Sequence, residues 1–259
     1  MTQKMTHAPG TFSWPELSTS SQSGAETFYA ALFGWTIEKT PMGPDAHYTI
    51  FQKDGAAVAA ASTLQPDQVK QGVPPNWLSY VSVASVDASV EKAKSLGATL
   101  CAGPFDVMEH GRMAVLMDPQ GAAFALWQAK NHQGAGLLDA PGALTWTELV
   151  TSDTKKAGEF YTGLFPWKSE VKPMPGMEYT IFKRGDASAG GMMALLPEMK
   201  GVPPHWMPYF GVTDCDATTK KATDLKGSVI MAPHDIPGVG RFAILKDPQG
   251  AAFAIFQVA

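Results

Sequence analysis

Asp118–Gln128 reads DPQGAAFALWQ and Asp247–Gln257 reads DPQGAAFAIFQ, identical at nine of eleven positions. Working back from that match, Gly111-Arg112 pairs with Gly240-Arg241, Val73-Pro74-Pro75 with Val202-Pro203-Pro204, and Trp77 with Trp206, each 129 residues apart. Earlier pairs drift slightly. Tyr48-Thr49-Ile50-Phe51 meets Tyr179-Thr180-Ile181-Phe182 at 131, and Trp14, Glu16, Phe28-Tyr29 and Trp35 meet Trp146, Glu148, Phe160-Tyr161 and Trp167 at 132. A period this long, present twice, marks a domain duplication and not a solenoid. It also supplies an internal control, because a residue kept by both copies is needed by what the copies share.

The 259 residues suffice for two ordinary domains. The expected division is a first domain over 1–128, a Gly- and Ala-rich linker over 129–141 and a second domain over 142–259. An apolar content of 45% with 17% charged residues is that of a globular core. The net charge of −4, with no basic run beyond a pair, excludes the electrostatic footprint of a nucleic-acid binder. No stretch approaches the roughly 20 apolar residues of a membrane span, and MTQKMTHAPGTF contains no apolar signal core. Cys101 and Cys215 occupy non-equivalent places in the two copies, against a duplicated disulfide or zinc knot. Both are expected to be buried thiols in a cytoplasmic protein.

Ala25, Phe28, Tyr29, Leu32 and Phe33 follow the stripe of a helix with one buried face, and the second copy keeps it as Phe160, Tyr161, Leu164 and Phe165. Shorter helices are expected over 87–96, closed by Gly97, and over 216–225, closed near Gly227. Strands are expected at 47–52, 78–83, 113–116 and 122–128. Asp118-Pro-Gln-Gly121 and Asp247-Pro-Gln-Gly250 carry the residues of a type I turn and should close hairpins. A half-copy is then a βαβββ-like module of about 55 residues, and the fold class is α+β.

These residues resemble the vicinal oxygen chelate superfamily of glyoxalases, bleomycin-resistance proteins and extradiol dioxygenases. The carriers are Phe-Tyr-x-x-Leu-Phe-x-Trp (28–35 and 160–167), the strands before Val86-Asp87 and Cys215-Asp216, and the Asp-Pro-Gln-Gly hairpins. Val-Pro-Pro-x-Trp-x-x-Tyr (73–80 and 202–209) is similar to a tandem, glyoxalase-like bacterial subgroup. The resemblance implies four βαβββ modules in curved mixed sheets, each cup holding one divalent metal. It places the first-strand ligand on Trp14 and Trp146, the second-module ligand on Tyr80 and Tyr209, and the last on Ala125 and Ala254. Such metals want imidazole, carboxylate or thiolate. The remaining strands, near 55–64 and 187–196, contain no His or Glu, and Asp186 stands only at an edge. No metal cofactor is therefore expected, and a site built from other residues is left with Glu16 and Glu148 as its symmetric carboxylates.

Strand alternation on that template turns Tyr80, Ser82, Ala123, Ala125 and Trp127 inward, with Phe124 and Leu126 toward the helices. The expected ligand-binding residues are Trp14, Glu16, Tyr80 and Trp127 in one copy and Trp146, Glu148, Tyr209 and Phe256 in the other. Aromatic filling of the concave sheets as plain core is the competing reading. Glu16, Glu148 and His205 are the candidates for acid–base work, with His205 also readable as an exposed loop histidine. Arg112 and Arg241 suit either an anionic ligand or a solvated turn. The expectation is a metal-independent small-molecule binder, without nucleic-acid or membrane partners, as a monomer with an internal pseudo-dimer or as a homodimer. The alternative is a glyoxalase-like lyase or dioxygenase with a non-standard metal set.

Overall fold

The computed structural model describes residues 5–43, 46–174 and 177–259; the first four residues of the expected first domain lie outside them. The first copy runs β1 (Phe12–Thr19), α1 (Gln22–Phe33), β2 (Thr36–Pro41), β3 (His47–Lys53), β4 (Ala56–Thr63), a short α2 (Pro66–Lys70), β5 (Asn76–Ser82), α3 (Val86–Ser95), β6 (Thr99–Val107), β7 (Gly111–Met117) and β8 (Ala123–Ala129). The second repeats it as β9 (Leu144–Thr151), α4 (Thr154–Leu164), β10 (Lys168–Met174), β11 (Met177–Arg184), β12 (Ala187–Ala194), a 3-10 turn (Pro197–Met199), β13 (His205–Gly211), α5 (Cys215–Asp224), β14 (Ser228–Ile236), β15 (Gly240–Lys246) and β16 (Ala252–Val258). Two curved, eight-stranded mixed sheets result, ordered β2-β3-β4-β1-β5-β8-β7-β6 and β10-β11-β12-β9-β13-β16-β15-β14. None of the described helices is long and apolar enough to cross a membrane.

Local sequence explains the element ends. Ser21, Ser85, Asp153 and Asp214 each accept the backbone N–H three residues on, capping α1, α3, α4 and α5; such a cap stabilises by about 1 kcal/mol. Gly97, at φ 95°, closes α3 as expected, but after α5 the left-handed residue is Lys226, at φ 71°. Gly227 serves a different need: a side chain there would lie 2.8 Å from the Lys246 carbonyl. The Asp-Pro-Gln-Gly turns close with Gly121 N–H to Asp118 O at 3.0 Å and Gly250 N–H to Asp247 O at 3.0 Å.

Contacts group the chain into two compact units. One comprises Met1–Trp14, Ser79–Gly134 and Trp146–Met207; the other comprises Pro15–Leu78, Ala135–Thr145 and Pro208–Ala259. Each joins a half of one copy to the opposite half of the other. In the second unit, Phe28, Tyr29, Leu32 and Phe33 of α1 share one buried cluster with Phe210, Leu245, Phe253 and Ile255, each such side chain stabilising by about 1.5–3 kcal/mol. In the first unit, Phe124 of β8 packs edge-on against Phe160, Tyr161 and Phe165.

The same exchange organises the buried polar groups. In the second unit Asp247 Oδ1 accepts the N–H of Gln249 and of Ala251, both at 2.9 Å. Its Oδ2 accepts the Tyr29 hydroxyl at 3.1 Å, and that hydroxyl accepts Trp77 Nε1–H at 3.0 Å. The first unit repeats this with Asp118, Tyr161 and Trp206 at 2.8 Å for both side-chain bonds. Burial, then the neighbouring aspartate, pushes both tyrosines well above the usual phenol range, so each stays a donor. Trp77, Trp206, the Phe-Tyr motif and the turn aspartates thus recur for one architectural reason.

Candidate functional site

Glu148 lies on β9 directly opposite Gly191 of β12 and is 8% exposed. Its Oε2 accepts the Tyr179 hydroxyl at 2.7 Å, and that hydroxyl accepts Trp146 Nε1–H at 2.9 Å. Strand alternation puts Trp146 and Glu148 on one face. A side chain at Gly191 would overlap the Tyr179 hydroxyl and come within 2.8 Å of Trp146 Nε1, so bare backbone makes room for the wall. Burial, then Glu148, pushes the Tyr179 phenol far above its ordinary range, which keeps it protonated and a fixed hydrogen-bond donor to the carboxylate. All of these residues lie in the first unit.

Glu16, on β1 in the second unit, is half-buried. Its Oε2 accepts the Tyr48 hydroxyl at 3.0 Å and its Oε1 the Ser62 hydroxyl at 3.4 Å. Ala60 stands opposite it on β4.

The aromatic residues fall out as follows. In the first unit, Tyr80 and Trp127 stand roughly perpendicular at 6.4 Å, and Trp14 packs against the His132 ring. Trp14, Tyr80 and Trp127 are all at most 6% exposed. Gly111 is the position the Trp127 ring rests on, because a side chain there would overlap it. In the second unit, Tyr209 lies 6.2 Å from Phe242, Phe256 is half-buried, and a side chain at Gly240 would come within 2.7 Å of the Phe256 ring. Phe124 and Phe210 face helices, as alternation requires. A depression of about 330 Å³ in the second unit, lined by Asp235, Ile236, Pro237, Arg241, Gln257 and Val258 among others, includes none of the expected ligand-binding residues.

Several expectations need correction. His205 is not a loop residue but opens β13, half-buried, with Nδ1 donating to the Pro203 carbonyl at 2.8 Å; burial holds its pKa below the usual imidazole value. Arg112 and Arg241 are not free turn residues, each being held in an ion pair. Arg112 Nε and Nη2 grip Asp87 at 2.8 Å each, and Arg241 grips Asp216 at 2.7 and 3.1 Å, tying β7 to α3 and β15 to α5. Cys101 is exposed and Cys215 buried, the latter with its thiol pushed up to about 11, chiefly by burial. Tyr48 and Tyr179 escaped the sequence reading as site residues, although both copies keep them.

The family's metal does not fit these side chains. Its expected positions hold indole, phenol and methyl groups, and among the described residues no group of three or more His, Cys, Asp or Glu is placed to hold an ion.

Two curved sheets built from tandem βαβββ modules define a glyoxalase-like protein. The glyoxalase-like domain family matches residues 17–127, and the glyoxalase/bleomycin resistance protein/dioxygenase superfamily matches residues 143–255. The chain belongs to this superfamily. It is 42% identical, over 100% of its length and 99% of the relative's, to CFP32 of Mycobacterium tuberculosis (strain CDC 1551 / Oshkosh), whose name proposes a glyoxylase. It is 36% identical to the anthracycline biosynthesis protein DnrV of Streptomyces peucetius, over 97% of this chain and 94% of that one. Among solved structures, the Mn(II)-bound glyoxalase from Novosphingobium aromaticivorans superposes with a TM-score of 0.65 at 15% identity, covering 96% of this chain and 82% of that one. The 2,3-dioxygenase LapB from Pseudomonas sp. KL28 gives 0.65 at 12% identity over 95% and 91%.

Proposed function

We propose that the chain binds a small aromatic molecule without a metal, using Glu148 as the polar anchor of a wall formed with Trp146 and Tyr179, and Glu16 with Tyr48 as its counterpart. The observation that carries this reading is the buried Glu148 carboxylate held by Tyr179, itself held by Trp146. A carboxylate beside an indole face offers the combination such sites use, apolar area for affinity and one oriented polar group for specificity. The relative named for anthracycline biosynthesis suggests a fused-ring aromatic as the ligand class. The two unpaired cysteines suit a cytoplasmic setting.

Isothermal titration with an anthracycline and with single-ring phenols tests the proposal on protein purified without a His-tag or added metal. Saturable binding that survives chelator and weakens about tenfold or more in Glu148→Gln, a loss of about 1.4 kcal/mol, is the expected result. Affinity unchanged by that substitution removes Glu148 from the site. A transition metal retained at one equivalent per chain, and required for binding, overturns the reading in favour of a lyase or oxygenase with Glu16 and Glu148 as ligands.

A further inference from the structure

The aromatic wall of the first copy already has a ring against it, and the ring comes from the segment after β8. His132 stands nearly perpendicular to Trp14, at 83° with centroids 4.6 Å apart, and 5.8 Å from Trp127 at 72°. Its backbone carbonyl accepts Trp127 Nε1–H at 2.9 Å, and its own N–H donates to the His110 carbonyl at 3.0 Å. The neighbouring chain is packed in as well. Gly134, at φ 107°, lies so close to the Ser13 carbonyl that a side chain would sit 2.7 Å from it and 3.0 Å from the His7 ring. Ser82, on the same strand face as Tyr80, donates to the His7 carbonyl at 3.1 Å. By contrast Trp146, the counterpart of Trp14, retains more exposure.

We infer that Trp14 and Trp127 form a binding site for a planar aromatic ring beside a hydrogen-bond acceptor, and that the chain fills this site itself with His132. Perpendicular ring packing on Trp14 and an acceptor for an indole N–H are the two features a small ligand would reproduce. His132 supplies both, one from its side chain and one from its backbone. The inference rests on the reading of the aromatic walls as ligand sites and extends it to a wall that reading leaves unassigned.

The test is rescue by the missing ring. His132→Ala removes an imidazole and keeps the backbone contacts, so its thermal midpoint should fall. Free imidazole should raise that midpoint saturably in the variant and leave wild type unmoved. His132→Phe, which keeps a ring in place, should behave as wild type. Should His132→Ala fail to fold alone, refolding in imidazole should recover its near-ultraviolet signal. The inference is overturned by a variant that responds to imidazole no more than wild type does, by refolding that imidazole does not restore, or by a His132→Phe protein that responds as strongly as the alanine one. Glu148→Gln must not alter the rescue, so failure here and failure of the anthracycline titration are separate results.

Discussion

Glu148 and Glu16 occupy matched places on β9 and β1 and each accepts a tyrosine hydroxyl, yet their surroundings differ. Glu148 faces glycine, and beside it Met193 pairs across from Tyr179. Glu16 faces alanine, and Ser62, in the place of Met193, gives it a second hydroxyl. Both copies hold the acid and its tyrosine, while the facing strand carries a hydroxyl in one and a thioether in the other. Behind the sheets the copies differ again. Glu26 of α1 is 5% exposed and accepts Lys39, His47 and Thr49 at 2.7, 2.9 and 2.7 Å, whereas α4 has Gly158 at the matching place, against Met192. What recurs is architecture plus one polar pair, and what varies is the chemistry around it.

The largest effects should fall on what the copies share. Tyr161→Phe strips the partner from Trp206 Nε1 and from Asp118 Oδ2, and Tyr29→Phe does the same to Trp77 and Asp247. Two buried groups losing partners should cost about 2–4 kcal/mol in either variant by denaturant unfolding. A tyrosine whose loss is cheap would break the claimed equivalence of the units. Gly191→Ala comes next, at about 1–3 kcal/mol, because the added carbon displaces the Tyr179 hydroxyl. The reverse exchange, Ala60→Gly, should cost about 1 kcal/mol or less. A Gly191→Ala protein with unchanged stability and unchanged near-ultraviolet spectrum would show that the close approach is not needed.

Glu26 gives the copy-specific test. Burial raises its pKa, but Lys39, Thr49 and His47 together outweigh that and hold it below the ordinary carboxylate value. A depressed folded pKa means stability present above the unfolded value of about 4.3 and lost as pH falls through the folded one. Glu26→Gln should therefore cost about 1–2 kcal/mol at pH 7, the Lys39 side chain being half in solvent. The gap should shrink as pH falls below about 4.3 and vanish once the pH passes the depressed folded value; a gap independent of pH would mean that the carboxylate charge contributes nothing.

Periodicity and the repeat made the modules legible, since α1, α4, the hairpins and the strand faces follow from patterns within some 50 residues. The second role of Asp118 and Asp247 was not legible. Each reads as the first residue of a turn, but its tyrosine partner lies 43 residues away in one case and 218 in the other, on the opposite copy. Tyr48 and Tyr179 carried a signal, their recurrence, without revealing that sheet register would bring them to the glutamates. The ion pairs of Arg112 and Arg241 were hidden for the same reason: the partner sits on a helix whose distance from the strand no local pattern encodes.

The smallest difference between the copies lies at the ends of α3 and α5, where Gly97 and Lys226 both adopt left-handed backbone. A residue with a Cβ crowds the following carbonyl in that conformation, while glycine does not. Lys226→Gly should stabilise the protein by about 0.5–1 kcal/mol, the strain relieved exceeding the added freedom of the unfolded chain. Gly97→Lys should destabilise it by a similar amount or slightly more, since its Cβ would also touch Pro119 at 3.4 Å. Opposite signs from two mirror substitutions, read as shifts in unfolding midpoint at constant slope, would locate the asymmetry in backbone conformation. Equal signs would place it in the lysine side chain's own contacts.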